Sequence, residues 1–334
     1  MKVAFLDDYL GILPECVDWN PLKRVAELTF FRDHLSAEDA LVARLSPFQA
    51  IVGMRERTPF PRSLLERLPN LALLVTLGMQ NKSFDLAAAT DLGIVVAGTG
   101  GLGSDPIELT WGLILALARG IAREDQAMRQ GQWQVSLGSR LAGRTLGVIG
   151  LGRIGSEVAR IAPAFGMRVM AWSENLTEER AREVGATRVG KEELLQASDV
   201  VTMHLRLSAR TEKTIGAAEF ALLRPTAFLV NTARSGLVEE RALVDALRNG
   251  RIAGAALDVF DEEPLPVDHP LRHLPNTVVT PHIGGVTRER YSEDYAEAME
   301  DVLSFLSGHR VRVLNHAVLQ NPRARFREYA SGGG

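Results

Sequence analysis

The sequence predicts an α/β protein made of two doubly wound, parallel-sheet domains. Three observations carry this reading. The chain has 334 residues, room for two domains at about 100–200 residues each. Short apolar runs recur in two series, one on either side of a long helical segment. The runs are continuous rather than alternating and have helical segments between them, as expected of strands buried on both faces of a parallel sheet.

The first series covers residues 3–6, 29–31, 50–53, 71–77 and 94–97. The second covers 145–149, 168–172, 200–205, 228–232, 253–258 and 277–280. Between them a helix is expected from Asp105 to about residue 130. Asp105 reads as its N-cap, Pro106 suits the first helical position, and Glu108 completes a capping-box pattern. Leu109, Leu113, Ala116, Leu117 and Gly120 follow at helical spacing, and Gly131 ends the segment. A second long helix is expected at Arg288–Leu306, then a short strand at 311–314. If these helices bridge the domains, the first domain comprises residues 1–102 and 288–334 and the second residues 103–287. The polar tail beyond Asn315 ends Ser-Gly-Gly-Gly and is expected to be poorly ordered.

Composition excludes several classes of function. With 38 Lys+Arg against 41 Asp+Glu and no block of like charge, a dedicated nucleic-acid binder is not expected. The single cysteine, Cys16, excludes a disulfide framework and a cysteine-based zinc site. The N-terminal apolar run stops at Leu6, too short for a signal-peptide core. No apolar stretch approaches the roughly 20 residues that span a membrane. A soluble, cytoplasmic protein is expected.

Residues 145–155 read as a strand, a turn and a helix start, with Gly150, Gly152 and Gly155 in G-x-G-x-x-G spacing. The first glycine permits a tight turn, the second lets backbone approach a pyrophosphate, and the third lets helix and strand pack closely. The phosphates would sit at the helix N-terminus. In this strand–turn–helix context the motif predicts dinucleotide binding. The acidic residue expected about 20 residues further on, for the adenosine ribose, is replaced by Ser173. A serine does not repel a 2′-phosphate, whereas the neighbouring Glu174 does. The expectation is NAD, with NADP left open.

Three polar segments fall at strand ends of the second series: Asn231–Gly236 around Arg234, Leu257–Pro264 with Asp258 and Glu263, and Thr280–Gly285 with His282. In open parallel sheets, ligands bind at the carboxyl ends of the strands.

With the glycine loop, these segments resemble the D-isomer-specific 2-hydroxyacid dehydrogenase family. The resemblance covers almost the whole chain and includes residues 77–89, which resemble the family's substrate-carboxylate loop. It implies a Rossmann cofactor domain inserted into a flavodoxin-like substrate domain. It implies hydride transfer between a nicotinamide cofactor and a small 2-oxo or 2-hydroxy acid. By position, Arg234 would bind the substrate carboxylate and carbonyl, and His282 would protonate the carbonyl oxygen. Glu263 would pair with His282 and favour its charged form. The spacing from Arg234 to Glu263 agrees with the family register, which selects Glu263 over Asp261 and Glu262. The backbone around Leu77, Gly78 and Met79 would hold the carboxylate. Arg55, at a strand end of the first domain, is a further substrate candidate, as is Arg57. The implied cofactor contacts are Gly150, Gly152, Arg153, Ile154, Gly155, Ser173, His204, Arg206, Thr211, Thr232, Ala233, Asp258 and Gly284. A homodimer is implied as well.

The chemistry asks for these residue types. A guanidinium fork matches a carboxylate. The alkoxide formed by hydride arrival needs a proton, and imidazole exchanges one near neutral pH. No metal is needed, and His269 and His273, although at metal-like spacing, lie in a Pro-rich loop without cysteines. Asp7 and Asp8 are likewise not read as a metal site. Trp133 and Tyr291 are read first as packing or interface residues and second as pocket walls. Besides Ser173, the chain departs from the family pattern at Ser235, which follows Arg234, and at Arg206, a cation that would favour a phosphate. Alternatives are a short-form phosphoglycerate dehydrogenase and an NADH-sensing binding module resembling the C-terminal-binding-protein corepressors. Formate dehydrogenase is disfavoured, because that activity usually carries Gln where Glu263 stands.

Overall fold

The computed structural model describes residues 1–100 and 103–326, so the expected domain boundary at residue 102 and the tail 327–334 lie outside the described residues. The chain divides into two units: Met1–Gly103 together with Thr287–Gly334, and Ser104–Val286.

The first unit is built on five parallel strands: β1 (Lys2–Phe5), β2 (Glu27–Phe30), β3 (Ala50–Gly53), β4 (Leu73–Thr76) and β5 (Val95–Gly98), in the order β2-β1-β3-β4-β5. This is the flavodoxin-like order, with its switch point between β1 and β3. β3 to β5 are buried along their whole length, which is why they read as unbroken apolar runs. Leu45, Ile51, Leu64, Leu74 and Val96 belong to one core cluster. A separate aromatic cluster joins Phe5, Trp19 and Phe30 to Tyr295, which the Arg288–Leu306 helix supplies.

The second unit is built on seven parallel strands: β6 (Thr145–Ile149), β7 (Arg168–Trp172), β8 (Thr187–Arg188), β9 (Val200–Met203), β10 (Phe228–Asn231), β11 (Gly254–Leu257) and β12 (Thr277–Val279). Their order is β12-β11-β10-β9-β6-β7-β8. Strand order reverses between β6 and β9, the crevice where a doubly wound sheet of this kind takes its ligand. One core cluster contains Trp111, Leu146, Val148 and Val158, and another Ile149, Met203, Phe220 and Leu229.

Several expectations need correction. β8 was not foreseen, because it is two exposed residues without an apolar run. The helix expected over 105–130 is two helices, Asp105–Arg119 and Ile121–Arg129, separated by Gly120 in a left-handed conformation at φ 64°. Its N-cap is Ser104 rather than Asp105. The 311–314 segment forms no strand; Val313 makes a single antiparallel bridge to Ala97. The described part of the tail is tied down through polar side chains. Asn315 accepts from the Val96 N–H at 2.9 Å and donates to the Ile94 carbonyl at 2.9 Å. Arg325 donates to the carbonyls of Leu68 and Leu71, and Val318 is buried.

Candidate active site

The three glycines of the loop differ in their surroundings. Gly150 has φ +100°, and a Cβ there would lie 2.7 Å from the Leu205 nitrogen. A Cβ on Gly155 would lie 2.1 Å from the Gly150 carbonyl oxygen, so only glycine permits the contact. Gly152 caps the Arg153–Ile161 helix and has no atom within 4 Å of where its Cβ would be. That open space lies beside the helix start contributed by Arg153 and Ile154. The first amide groups of a helix have no intrahelical partner and carry the positive end of its dipole. These features fit the pyrophosphate of a dinucleotide.

The flanking strand ends complete this wall. After β7, the Ser173 carbonyl accepts from the Leu176 N–H, closing a turn. After β9, His204 bonds Thr202 Oγ1 through Nε2 at 2.9 Å. Burial pushes its imidazole down to about 4, so it is neutral at pH 7. Thr211 donates to the Arg206 carbonyl at 2.6 Å and accepts from the Ser208 N–H at 2.8 Å, so its hydroxyl serves the turn that carries the exposed Arg206.

The three neighbouring strands β10, β11 and β12 deliver the polar segments. After β10, Thr232 Oγ1 meets Thr110 Oγ1 at 2.8 Å. Asn231, 1% exposed, accepts from the Ala233 N–H and donates to the Arg234 carbonyl. It thereby sets the backbone that carries Arg234, whose Nη1 donates to the Ala233 carbonyl at 2.7 Å. Asn231 was not among the expected site residues. The signal available for it was an Asn at a strand end, where Asx turns form.

After β11, Asp258 is fully buried and accepts from Thr280 Oγ1 at 2.7 Å and from the Ile283 and Gly284 N–H groups at 2.8 Å each. Burial pushes its carboxyl upward, and these hydrogen bonds oppose the shift. Asp258 therefore holds the Thr280–Gly284 turn. His282 sits within that turn at φ 53°, a left-handed conformation uncommon for a non-glycine residue. Its Nδ1 lies 2.7 Å from Glu263 Oε2, while Glu263 Oε1 accepts from the Phe260 N–H at 2.9 Å. Both side chains are about three-quarters buried, at 23% and 25% exposure. The contact holds the ring through Nδ1.

In the first unit, Arg55 follows β3 at φ 51°, and its carbonyl accepts from Asn81 Nδ2 at 2.6 Å. Leu77 is buried, Gly78 has φ 103°, and Met79 is exposed. The Gly78 N–H donates to Thr99 Oγ1 at 2.8 Å, so that amide has an internal acceptor. Arg57 lies over the Tyr9 ring and donates to the Asp7 carbonyl. Asp7 takes His34 and Thr58, and Asp8 caps the Ile12 and Leu13 amides. His269 pairs with Glu240 and His273 with the Val267 carbonyl. Trp133 is 75% exposed, and Tyr291 packs against Tyr295.

Residues 111–284 match the family profile described as D-isomer specific 2-hydroxyacid dehydrogenase, NAD binding domain. The chain belongs to this family. It is 42% identical over 255 residues to a glyoxylate reductase of Aeropyrum pernix, covering 73% of this chain and 76% of that protein. It is 36% identical over 279 residues to a D-3-phosphoglycerate dehydrogenase of Archaeoglobus fulgidus, covering 83% of this chain but 53% of that longer protein. A phosphoglycerate oxidoreductase structure from Vibrio cholerae superposes with a TM-score of 0.88 at 35% identity, covering 92% of this chain and 99% of the other. The chain is thus an enzyme of the NAD-dependent 2-hydroxyacid dehydrogenase class, and its second unit contains the matched NAD-binding segment. No helix among the described residues is long and apolar enough to cross a membrane.

Proposed function

We propose that this enzyme interconverts a small 2-oxo acid and its D-2-hydroxy acid, with glyoxylate or hydroxypyruvate as the leading substrates. The observation that carries the proposal is the His282–Glu263 pair at 2.7 Å, held on a turn anchored by the buried Asp258. The nicotinamide, when bound, supplies or accepts the hydride. His282 delivers a proton to the developing alkoxide during reduction and removes it during oxidation. Glu263 acts through His282 by orienting the ring. Arg234 binds the carboxylate and polarises the carbonyl. Arg55 and the Leu77–Met79 backbone recognise the substrate in the first unit.

For the cofactor, Gly150, Gly152, Arg153, Ile154 and Gly155 take the pyrophosphate, and Ser173 with Arg206 lies on the adenosine side. His204, Thr211, Thr232, Ala233, Asp258 and Gly284 line or support the remainder. NAD is the proposed preference: Ser173 is compatible with either cofactor, and Glu174 beside it opposes a 2′-phosphate. A cytoplasmic homodimer is proposed, supported by Trp133 and Leu137 of the second unit, which are exposed although apolar.

Phosphoglycerate dehydrogenase is the second reading, favoured by the relatives that carry this name. The binding-module reading is not carried forward, since the relatives are named as enzymes. Steady-state rates on glyoxylate, hydroxypyruvate, pyruvate and 3-phosphohydroxypyruvate, each with NADH and NADPH, test the proposal. Turnover of glyoxylate or hydroxypyruvate with the highest kcat/KM is expected. A preference for the phosphorylated acid favours the second reading, and no turnover of any acid overturns both.

A further inference from the structure

The loop that carries Gly78 and Met79 is held from beneath by a buried chain of polar groups. The Gly78 N–H donates to Thr99 Oγ1 at 2.8 Å, and that hydroxyl donates to Asp294 Oδ1 at 2.8 Å. Asp294 Oδ2 lies 2.7 Å from Arg290 Nε, an ion pair whose side chains are 3% and 2% exposed. Thr99 is fully buried. The Gly78 carbonyl is equally constrained: a Cβ on Gly98 would lie 2.5 Å from its oxygen. On the far side of the loop, Asn81 ties Thr76 Oγ1 to the Arg55 carbonyl.

A threonine hydroxyl is both donor and acceptor, and its rotor turns to suit its partners. A carboxylate offers only acceptors. Asp294 therefore decides the direction of the chain: the Thr99 proton points at Asp294, and a Thr99 lone pair is left for the Gly78 amide. The Met79 and Gln80 N–H groups make no intramolecular hydrogen bond among the described residues. Of the three residues the sequence suggested, Leu77 donates to the Gly53 carbonyl at 3.3 Å and Gly78 to Thr99, which leaves Met79.

We propose that Asp294 and Thr99 are positioning residues for substrate binding: the Asp294 carboxylate orients the Thr99 hydroxyl as acceptor for the Gly78 amide, so that the Met79 and Gln80 amides become the loop's donors to the substrate carboxylate. This rests on the reading of the Leu77–Met79 segment as substrate-binding. Burial pushes the Asp294 carboxyl upward, and Thr99, Arg290 and Arg55 oppose that shift. Arg290 Nη1 and Nη2 have no hydrogen-bond partner among the described residues, which makes Asp294 the counter-charge of a buried guanidinium. Removing Asp294 strands that charge and threatens folding, so Thr99 is the better handle.

The test compares Thr99→Val, Thr99→Ser and Asp294→Asn in the full-length protein. Two readouts are taken: residue-resolved hydrogen exchange at the Gly78 amide, and KM and kcat for glyoxylate with NADH. Thr99→Val is expected to speed Gly78 exchange and raise KM about tenfold, with NADH affinity unchanged. Thr99→Ser, which keeps the hydroxyl, is expected to restore both. Asp294→Asn, where it folds, is expected to behave as Thr99→Val does. Unaltered Gly78 exchange in folded Thr99→Val overturns the proposal, and so does faster exchange with no change in KM. A parent protein that turns over no 2-oxo acid overturns the substrate reading instead; the exchange measurement still shows whether the Gly78–Thr99–Asp294 chain exists.

Discussion

His282 Nδ1 and Glu263 Oε2 stand 2.7 Å apart on turns that follow two neighbouring strands, β12 and β11. The contact places an acceptor-only group against one ring nitrogen. His282→Ala is expected to lower kcat for 2-oxo acid reduction by about 10²–10⁴-fold. NADH affinity, measured by fluorescence titration, should stay within twofold. Glu263→Gln keeps the shape but not the charge, and should cost about 10–100-fold in kcat. Equal turnover in the parent and Glu263→Gln would remove the carboxylate from the mechanism.

Two glycines of one loop should respond differently to the same substitution. Gly155→Ala meets the Gly150 carbonyl at 2.1 Å, and overpacking of this kind costs about 1–3 kcal/mol or more. It should appear as a lowered melting temperature. Gly152→Ala meets no protein atom within 4 Å. It should leave the melting temperature of the apoprotein unchanged and weaken NADH about tenfold, or about 1.4 kcal/mol, if phosphate occupies that space. Intact NADH binding in Gly152→Ala would place the pyrophosphate elsewhere.

Asp258→Asn tests what holds the Thr280–Gly284 turn. The substitution sets an amide group among the Thr280 hydroxyl and the Ile283 and Gly284 N–H donors. One or more of these buried donors then lacks an acceptor, at about 1–3 kcal/mol each. Chemical denaturation should show that loss, and kcat should fall with it because His282 lies inside the turn. A stable variant with full kcat would show that the turn does not depend on this carboxylate.

A pH dependence of stability is expected from Asp301 in the first unit. Burial, opposed by Arg312, raises its carboxyl from 3.8 to about 7. The folded protein therefore holds a proton that the unfolded chain has already released. This contribution is fully present below about pH 4 and is lost as pH rises towards about 7. Asp301→Asn should flatten that interval relative to the parent when unfolding free energies are compared pH by pH. Parallel curves for the two proteins would rule out the raised carboxyl.

The strands that bear the site were legible because burial on both faces leaves an unmistakable run, as in Thr145–Ile149 and Val200–Met203. What escaped was structure made by polar or conformational means. Gly120 interrupts a helical pattern through its backbone angle alone. Asn315 and Arg325 fasten the tail through side-chain contacts to backbone, and polar residues in a sequence read as solvated. Arg290 and Asp294 look like an ordinary i,i+4 surface pair, yet both are buried. Arg234, Glu263 and His282 could be picked out by residue type and register. Asn231, Thr99 and Asp294, which set backbones rather than meet a substrate, are ordinary residues until their partners are seen.

The fastening of β5 by residues near the end of the chain bears on the order of folding. Asn315 reaches the Val96 amide across 219 positions of sequence. The unit spanning Ser104–Val286 has its seven strands within one uninterrupted stretch. As a ribosome delivers the polypeptide, that stretch can collapse while the first sheet still waits for its closing helix and tail. Contacts so distant along the chain form slowly. Until they do, the edge of β5 is a surface that a nascent protein must keep from its neighbours.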